Sequence, residues 1–268
     1  MKGAVMYIDM HSHVHIPTGL QLANLDAAGI QTAVVFVSRP HPERAHTLEE
    51  FKREFAVLAS ATSGTESSAA SYETALGELD TAVEEAGGRL IPFGPVPLDL
   101  DAAATSEWLE HRILAKGMRG VGELVPKPGA FGDLSRVLAA ASDHPGLPVV
   151  VHGFHPTTAA DLSTLAGLAA EHPGVPVVVG QLGGLEWIAA IELAQRTANL
   201  WLDLATPIVT FAPAMAIRAL PERCLFGTNS PYGNPVATRT LLEQVVDDRA
   251  LLEAVLADNP LRLLGMRL

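Results

Sequence analysis

The sequence predicts a single (β/α)₈ barrel over residues 1–268, and three observations support this prediction. Eight short apolar runs alternate with longer helical stretches along the chain. Most of the runs are apolar throughout, which is typical of parallel strands buried on both faces. Eight such units in about 250 residues also match the size of this barrel. An open doubly wound sheet is the alternative, but no Gly-x-Gly-x-x-Gly fingerprint follows the first strand, which disfavours dinucleotide binding.

Each predicted strand is a short run of β-branched and other apolar residues, the types that favour strands. The strands cover residues 4–10, 32–37, 90–93, 118–123, 148–152, 175–180, 200–203 and 223–227. Asp133 is expected to cap the helix that ends at Ser142, because an aspartate side chain can accept a bond from the first helical turn. All the predicted helices cover residues 20–28, 47–60, 71–86, 102–115, 133–142, 157–171, 185–196, 211–219, 236–246 and 248–257.

Residues 59–71 depart from this alternation because they are almost all small or polar. Two interpretations remain open. The segment is either a disordered insertion or a lid that follows the second strand on the catalytic side of the barrel.

Composition excludes several classes of partner. The formal net charge of −12 offers no basic surface for nucleic acid or for an anionic membrane. The single cysteine, Cys224, cannot form an intramolecular disulfide, so a reducing cytoplasm is the expected compartment and a buried apolar role is expected for the thiol. Asp9 and His11 interrupt the apolar start of the chain, which disfavours a signal peptide or membrane span. A small-molecule substrate is the expected partner, and a homo-oligomer is compatible with the composition.

The first strand carries a candidate metal-binding motif, Asp9-Met10-His11-Ser12-His13-Val14-His15. Side chains alternate along a strand, so Asp9, His11 and His13 are expected on one face, with His15 following at the same parity. Imidazole is the commonest protein metal ligand, and two imidazoles on one face can hold one ion. Two structural histidines with separate hydrogen-bond partners are the alternative.

Polar residues also follow several of the other predicted strands. In a (β/α)₈ barrel the carboxyl ends of the strands form the active-site rim, so these residues are expected to converge there. His152 follows an apolar run, and a lone Glu123 at the barrel mouth needs a cation, Arg119 or Lys127 as its partner. Asp203 ends the seventh strand and is a candidate for supporting the ligands. The predicted rim set is His11, His13, Glu123, His152, His155, Gln181 and Asn229.

These residues resemble the amidohydrolase superfamily, in its amidohydrolase-related (amidohydrolase family 2) branch. The resemblance covers nearly the whole chain and implies the same barrel fold. It also implies one or two divalent ions and attack by ion-bound water on a carbonyl, although some members are decarboxylases or hydratases. The matching segments are Asp9-Met10-His11-Ser12-His13, Gly120-Val121-Gly122-Glu123-Leu124, Val151-His152-Gly153, Gly180-Gln181-Leu182-Gly183-Gly184, Leu225-Phe226-Gly227-Thr228-Asn229-Ser230-Pro231 and Asp258-Asn259-Pro260-Leu261-Arg262-Leu263-Leu264-Gly265.

The chain departs from the family at two positions. Gln181 stands where the family has histidine, and Asn229 stands where it has an aspartate that usually serves as general base. Both carboxamides keep a carbonyl oxygen that can coordinate an ion, so altered coordination is favoured over loss of activity. Replacing nitrogen by neutral oxygen makes the site harder and favours Fe(II), Mn(II) or Mg(II) relative to zinc.

The resemblance also indicates two ions. Dinuclear members use a carboxylated lysine on the fourth strand, and Glu123 could bridge two ions in its place. His11 and His13 would hold one ion, and His152 with Gln181 would hold the other, with Asn229 nearby. Iron is favoured, with zinc or manganese as alternatives, because certain thioester-cleaving members use iron with amide ligands.

These features predict a metal-dependent hydrolase of a carboxylic acid derivative, foremost an acyl thioester and possibly an acyl-CoA. A metal-activated hydroxide would attack the carbonyl, and its proton would pass to His15, His155 or Asp9, because Asn229 cannot accept it. A thiolate leaves without strong protonation, which favours thioesters over amides. Arg39 and Tyr232 are candidates for binding the substrate.

Two other functions remain open. A mononuclear decarboxylase or hydratase would keep His11, His13 and His152 as ligands, and about one ion per chain would favour it. A catalytically silent binding protein would contain no metal and would lose no stability on chelation.

Overall fold

The computed structural model describes residues 6–63 and 69–266, which form one eight-stranded parallel sheet in sequential strand order. The segment after the eighth strand returns to the first, since the Met10 amide donates to the Phe226 carbonyl at 2.8 Å and Ser12 bridges Ser230. This confirms the predicted (β/α)₈ barrel. The strands are β1 (Ile8–His13), β2 (Thr32–Phe36), β3 (Leu90–Gly94), β4 (Gly120–Leu124), β5 (Val149–Val151), β6 (Val177–Val179), β7 (Leu200–Asp203) and β8 (Cys224–Leu225).

Helices follow the strands and cover the outside of the barrel. Two consecutive helices, rather than one, join β2 to β3. In the described residues the helices are α1 (Thr18–Ala27), α2 (Leu48–Ser63), α3 (Ala69–Glu85), α4 (Ala102–Trp108), α5 (Leu134–Ser142), α6 (Ala159–Glu171), α7 (Trp187–Arg196), α8 (Ala212–Ala219), α9 (Pro235–Val245), α10 (Arg249–Glu253) and α11 (Asn259–Leu263). No helix among them has the length and apolarity needed to cross a bilayer.

The apolar core has two parts. The larger part lies between the strands and the surrounding helices and contains the buried Cys224, in the apolar role expected for it. The smaller part lies inside the barrel, where Ile8 and Val150 of the strands meet Leu261 and Leu263 of α11. Each leucine buried in this way stabilises the fold by roughly 2 kcal/mol. This apolar plug leaves the opposite, carboxyl end of the barrel for polar side chains.

Strand β1 differs from its prediction in length and regularity. It runs through His13 instead of ending at Met10, because the His13 amide donates to the Ser230 carbonyl at 2.8 Å. Both histidines therefore lie within the strand. Its pairing with β2 shifts register between Asp9 and Ser12, which breaks the strict alternation on which the shared face of Asp9 and the histidines depended.

The expected capping role of Asp133 is wrong. Its side chain makes no capping bond, because Asp133 ends a short 3₁₀ turn (Phe131–Asp133) that continues into α5. The carboxylate instead lies 3.3 Å from the Arg136 guanidinium. The capping box is found on α6, where the Thr158 hydroxyl and the Asp161 carboxylate satisfy each other's backbone amides.

Residues 59–71 are largely helical, so their interpretation as a disordered insertion is wrong where the structure describes them. Helix α2 continues to Ser63 and α3 begins at Ala69. Residues 64–68 lie outside the described part of the chain. The helix predicted over 102–115 is divided, because a π-helical turn (Leu109–Ile113) and a 3₁₀ turn (Leu114–Lys116) follow α4.

Candidate metal centre

Three predicted ligands meet at the carboxyl end of the barrel. His11 Nε2 lies 3.7 Å from Glu123 Oε1, and His13 Nε2 lies 3.8 Å from Glu123 Oε2. One ligand atom from each residue lies within 4.8 Å of the other two. Within residues 6–63 and 69–266 this is the single group of three or more histidine, cysteine or acidic side chains that meets that distance. The two histidines come from the carboxyl end of β1, and Glu123 comes from the carboxyl end of β4.

The second ring nitrogen of each histidine is held by an acceptor. His11 Nδ1 lies 2.7 Å from Asp203 Oδ2, and His13 Nδ1 lies 3.2 Å from the Val37 carbonyl oxygen. Nδ1 must donate to such partners, so Nε2 of each ring turns its lone pair toward Glu123 when the ring is neutral. Metal-binding histidines are usually oriented in this way by a carboxylate or a backbone carbonyl.

Asn229 supplies a direct test of whether a cation fits. Its Oδ1 lies 3.2 Å from His13 Nε2. Burial lowers the pKa of His13 to about 4, although Glu123 opposes the shift, so the ring is neutral near pH 7. Two lone pairs then face each other in a buried site, which is unfavourable unless a cation lies between them. The side chains present therefore fit a divalent ion held by His11, His13, Glu123 and Asn229.

Glu123 is the shared anion of the cluster. Its Oε1 lies 3.1 Å from His152 Nδ1 and accepts a bond of 2.8 Å from Gln181 Nε2. Burial raises the pKa of Glu123, but the neighbouring His152, His11 and His13 outweigh burial and hold the pKa well below its usual range. These groups take the place of Arg119 and Lys127 as partners of Glu123. Arg119 donates to the Leu264 carbonyl at the other end of the barrel.

His11 carries the opposite shift. Burial lowers the pKa of His11, but the charges of Asp203 and Glu123 outweigh burial and raise the pKa to about 9. In the metal-free protein at neutral pH, this ring therefore keeps a proton that a bound ion would displace.

Gln181 presents its nitrogen to the cluster. Its Oε1 accepts a 3.1 Å bond from the Gly153 amide, while Nε2 lies 2.8 Å from Glu123 Oε1 and 3.4 Å from His11 Nε2. A backbone N–H can only donate, and an ionised carboxylate can only accept, so both ends define the same amide orientation. The side-chain oxygen of Gln181, which the sequence predicted as a metal ligand, instead accepts the hydrogen bond from Gly153.

The strand ends around the cluster have unusual backbone. Among the described non-glycine residues, four have positive φ: Gln181 (47°), Leu182 (54°), Thr206 (48°) and Asn229 (56°). All four follow β6, β7 or β8. Such conformations cost about 1–3 kcal/mol each and collect at functional sites. Thr206 was not predicted as a site residue, yet its hydroxyl accepts a 3.0 Å bond from Asn229 Nδ2. No sequence pattern marks a threonine for this role.

Two of the predicted proton acceptors lie away from the cavity above the cluster. The buried Asp9 carboxylate accepts from the Thr228 amide at 3.0 Å, the Thr228 hydroxyl at 2.5 Å and the His11 amide at 3.0 Å. Burial raises the pKa of Asp9 to about 7. His15 is buried with Nε2 3.1 Å from the Ser230 hydroxyl. Neither residue lines the cavity, whereas His155, the third candidate, is exposed and does.

The cavity over the cluster has a volume of about 740 Å³. Phe55 and Leu58 of α2 and Tyr72 of α3 form part of its wall. The Tyr232 ring meets His13 edge to face, with 5.7 Å between centroids. The cavity wall includes eight of the residues predicted for the site, namely Arg39, His13, Glu123, His152, His155, Gln181, Asn229 and Tyr232.

His41 lies in the segment after β2 and links it to helices α2 and α3, which form part of the cavity wall. Its backbone amide donates to Glu54 of α2 at 2.7 Å, and its ring nitrogens lie 3.1 Å from Glu43 and 3.2 Å from Glu78 of α3. A ring that donates from both nitrogens to carboxylates is protonated. Burial lowers the pKa of His41, but the bonds and charges of Glu43 and Glu78 outweigh it and raise the pKa above its ordinary value.

Replacing His41 with glutamine should lower the free energy of unfolding by about 1 kcal/mol near pH 6, where the ring is charged and bonded to Glu43 and Glu78. A raised folded-state pKa gives stability that is complete below the unfolded pKa of about 6.5 and is lost as pH rises through the folded value. The difference from wild type in urea denaturation should therefore shrink at alkaline pH. His46→Gln, at an exposed position, is the matched control. A difference that grows with pH would contradict this assignment.

Comparisons with known proteins bear on the family and on the fold. A family model described as Amidohydrolase matches residues 8–266. A search of curated proteins finds no match. Among solved structures, 2,6-dihydroxybenzoate decarboxylase from Rhizobium is similar with a TM-score of 0.69 and 16% identity, covering 97% of this chain and 99% of that chain.

Two further solved structures have the same fold. 5-Carboxyvanillate decarboxylase LigW from Sphingomonas paucimobilis has a TM-score of 0.68 and 12% identity, covering 98% of this chain and 100% of that chain. Dihydroxybenzoic acid decarboxylase from Polaromonas, solved with bound manganese and the inhibitor 2-nitroresorcinol, has a TM-score of 0.68 and 14% identity, covering 97% of both chains.

Proposed function

The chain belongs to the amidohydrolase family, which it matches over residues 8–266, and we propose that it is a single-ion, metal-dependent decarboxylase of a small carboxylic acid. The observation that carries the proposal is the convergence of His11, His13 and one carboxylate, Glu123, within 4.8 Å. Two neutral imidazoles and one carboxylate leave a divalent ion with a net positive charge. Such a centre attracts an anionic carboxylate substrate.

The choice of ion follows from the donor set and the neighbours. Two imidazole nitrogens, a carboxylate oxygen and the Asn229 amide oxygen form a mixed, moderately hard set that suits manganese, iron or zinc. The Polaromonas decarboxylase of the same fold contains manganese. We therefore favour manganese over the iron expected from sequence, and one ion over two.

A divalent ion held by His11, His13, Glu123 and Asn229 would supply Lewis-acid stabilisation of negative charge on the substrate. The protein then has to deliver a proton to the carbon that loses carbon dioxide, because the carbon–carbon bond breaks and its electron pair stays on that carbon. His155 lies in the cavity wall, is exposed, and is our candidate donor. Phe55, Tyr72 and Tyr232 supply flat apolar surfaces on which a ring could pack.

Hydrolysis is the second candidate. Two histidines and a glutamate are also the ligand set of known zinc hydrolases. Hydrolysis needs a group that removes a proton from water, however; the carboxamide of Asn229 cannot take it, and of the other predicted acceptors His155 lines the cavity whereas Asp9 and His15 do not. None of the three solved structures described above is a thioesterase, so the thioester hypothesis has no support from the comparisons.

Metal content and product analysis distinguish these candidates. Protein prepared without metal and loaded with Mn²⁺, Fe²⁺ or Zn²⁺ should bind about one ion per chain. Incubation with a panel of hydroxybenzoates should release carbon dioxide, whereas acyl-CoA substrates should release no thiol. His155→Ala should bind metal normally but release carbon dioxide about 10²–10⁴-fold more slowly. Thiol release without carbon dioxide would overturn the proposal in favour of hydrolysis.

A further inference from the structure

Glu123 Oε1 already has two partners at the candidate metal centre. His152 Nδ1 lies 3.1 Å from it, and Gln181 Nε2 donates to it at 2.8 Å. A carboxylate oxygen has two lone pairs, so these contacts saturate Oε1. The other oxygen, Oε2, lies 3.8 Å from His13 Nε2, whereas His11 Nε2 lies 3.7 Å from Oε1. Glu123 can therefore offer one oxygen to one ion, but it cannot bridge two ions in this arrangement.

The orientation of Gln181 is determined at both ends. Its oxygen accepts from the Gly153 amide at 3.1 Å, and Gly153 itself packs so closely on Gly180 that an added Cβ would lie 2.1 Å from the Gly180 carbonyl oxygen. Its own backbone has a φ of 47°, and its amide N–H donates to Asp203 Oδ2 at 2.9 Å. The side chain and its backbone are both held. The partial positive charge of the NH₂ group consequently faces His11 and Glu123.

We infer that Gln181 is the residue that limits this centre to one ion. It does so in two ways: its NH₂ group occupies Glu123 Oε1, and it places a donor where a second cation would need a lone pair. Gln181 is thus a positioning residue that determines the number of ions. This inference rests on the proposed single-ion centre.

Replacing Gln181 with glutamate tests the inference by a gain of binding. Glutamate has nearly the same shape, and one of its oxygens can still accept from Gly153. Its second oxygen, however, would repel Glu123 and add a negative ligand next to the Glu123 oxygen that His152 also contacts. Metal-free Gln181→Glu loaded with Mn²⁺ should bind about two ions per chain, where wild type binds about one. Electron paramagnetic resonance should then detect magnetic coupling between the two ions.

Gln181→Met is the matched variant, because methionine keeps the volume and removes both amide functions. It should still bind one ion, about 10–100-fold more weakly, since Glu123 loses the bond that orients it. Thermal denaturation of all three proteins checks that each is folded. A single ion in Gln181→Glu, or wild-type affinity in Gln181→Met, would overturn the inference. Absence of Mn²⁺ binding or carbon dioxide release in wild type would instead overturn the proposed function.

Discussion

Replacing His13 with alanine should abolish metal binding and lower the rate of carbon dioxide release about a thousand-fold. The loss follows from our proposal, in which His13 Nε2 is one of two imidazole ligands of the ion and Asn229 Oδ1, 3.2 Å away, is a neighbouring ligand. Lewis-acid stabilisation by a bound ion is worth several kcal/mol, and each 1.4 kcal/mol is about tenfold in rate. Elemental analysis of the Mn²⁺-loaded variant should find almost none of the about one ion per chain expected in wild type.

The fold should tolerate this change. The His13 side chain donates to a single backbone acceptor, Val37, and its ring is already neutral, so no buried charge loses its partner. The control is His144→Ala, which removes an imidazole that is 29% exposed and lies 3.0 Å from Glu110 at the surface. This control should bind metal and react like wild type. Full metal content in His13→Ala would show that the ion binds at another position and would contradict the proposed centre.

Replacing Asp203 with alanine should cause the largest loss of stability, about 3–5 kcal/mol of unfolding free energy. Its carboxylate is 1% exposed and accepts from His11 Nδ1 at 2.7 Å, the Gln181 amide at 2.9 Å and the Ala205 amide at 3.0 Å. Alanine leaves these three donors without a partner in the interior. Near pH 7 the His11 ring is also protonated, since its pKa is about 9, so its charge loses its closest counter-ion.

Urea denaturation of the metal-free protein near neutral pH measures this loss. Asp203→Asn keeps one oxygen for His11 but turns an NH₂ group toward a backbone donor, so its loss should be intermediate. Asp133→Ala removes a carboxylate that is 49% exposed and pairs with Arg136 at 3.3 Å, and it should change the unfolding free energy by less than about 1 kcal/mol. If Asp203→Ala is no less stable than Asp133→Ala, the buried pair of Asp203 and His11 does not stabilise the fold.

Much of the site could be predicted because a parallel barrel places the carboxyl ends of all its strands at the same rim. The apolar runs locate the strands, and the residue after each run falls at the same rim. On that basis Glu123, His152, Gln181 and Asn229 were placed together although up to 106 residues separate them, and they do share one cavity wall with His13. His155 and Arg39 line the same cavity for the same reason.

Prediction was weakest where a single bond or a backbone irregularity decides the outcome. Strict alternation placed Asp9 beside the histidines, but the register shift after it and its bonds to Thr228 keep it with the strand-eight segment. The two carboxamides appeared equivalent as oxygen donors, yet Gly153 turns the oxygen of Gln181 away while Thr206 holds the nitrogen of Asn229.

The amino-acid pattern alone was enough to predict the order of the strands, the barrel, and the placement of His13, Glu123, His152, Gln181 and Asn229 around one cavity. These features depend on hydrophobic burial and side-chain periodicity, and both form patterns that extend over many residues of the sequence. The direction of each polar group could be read only from the folded chain: which atom each side chain presents to the proposed ion, and which oxygen of Glu123 is free to bind it. Hydrogen-bond direction depends on donors from distant segments such as Gly153 and His152, whose positions exist only after the barrel closes.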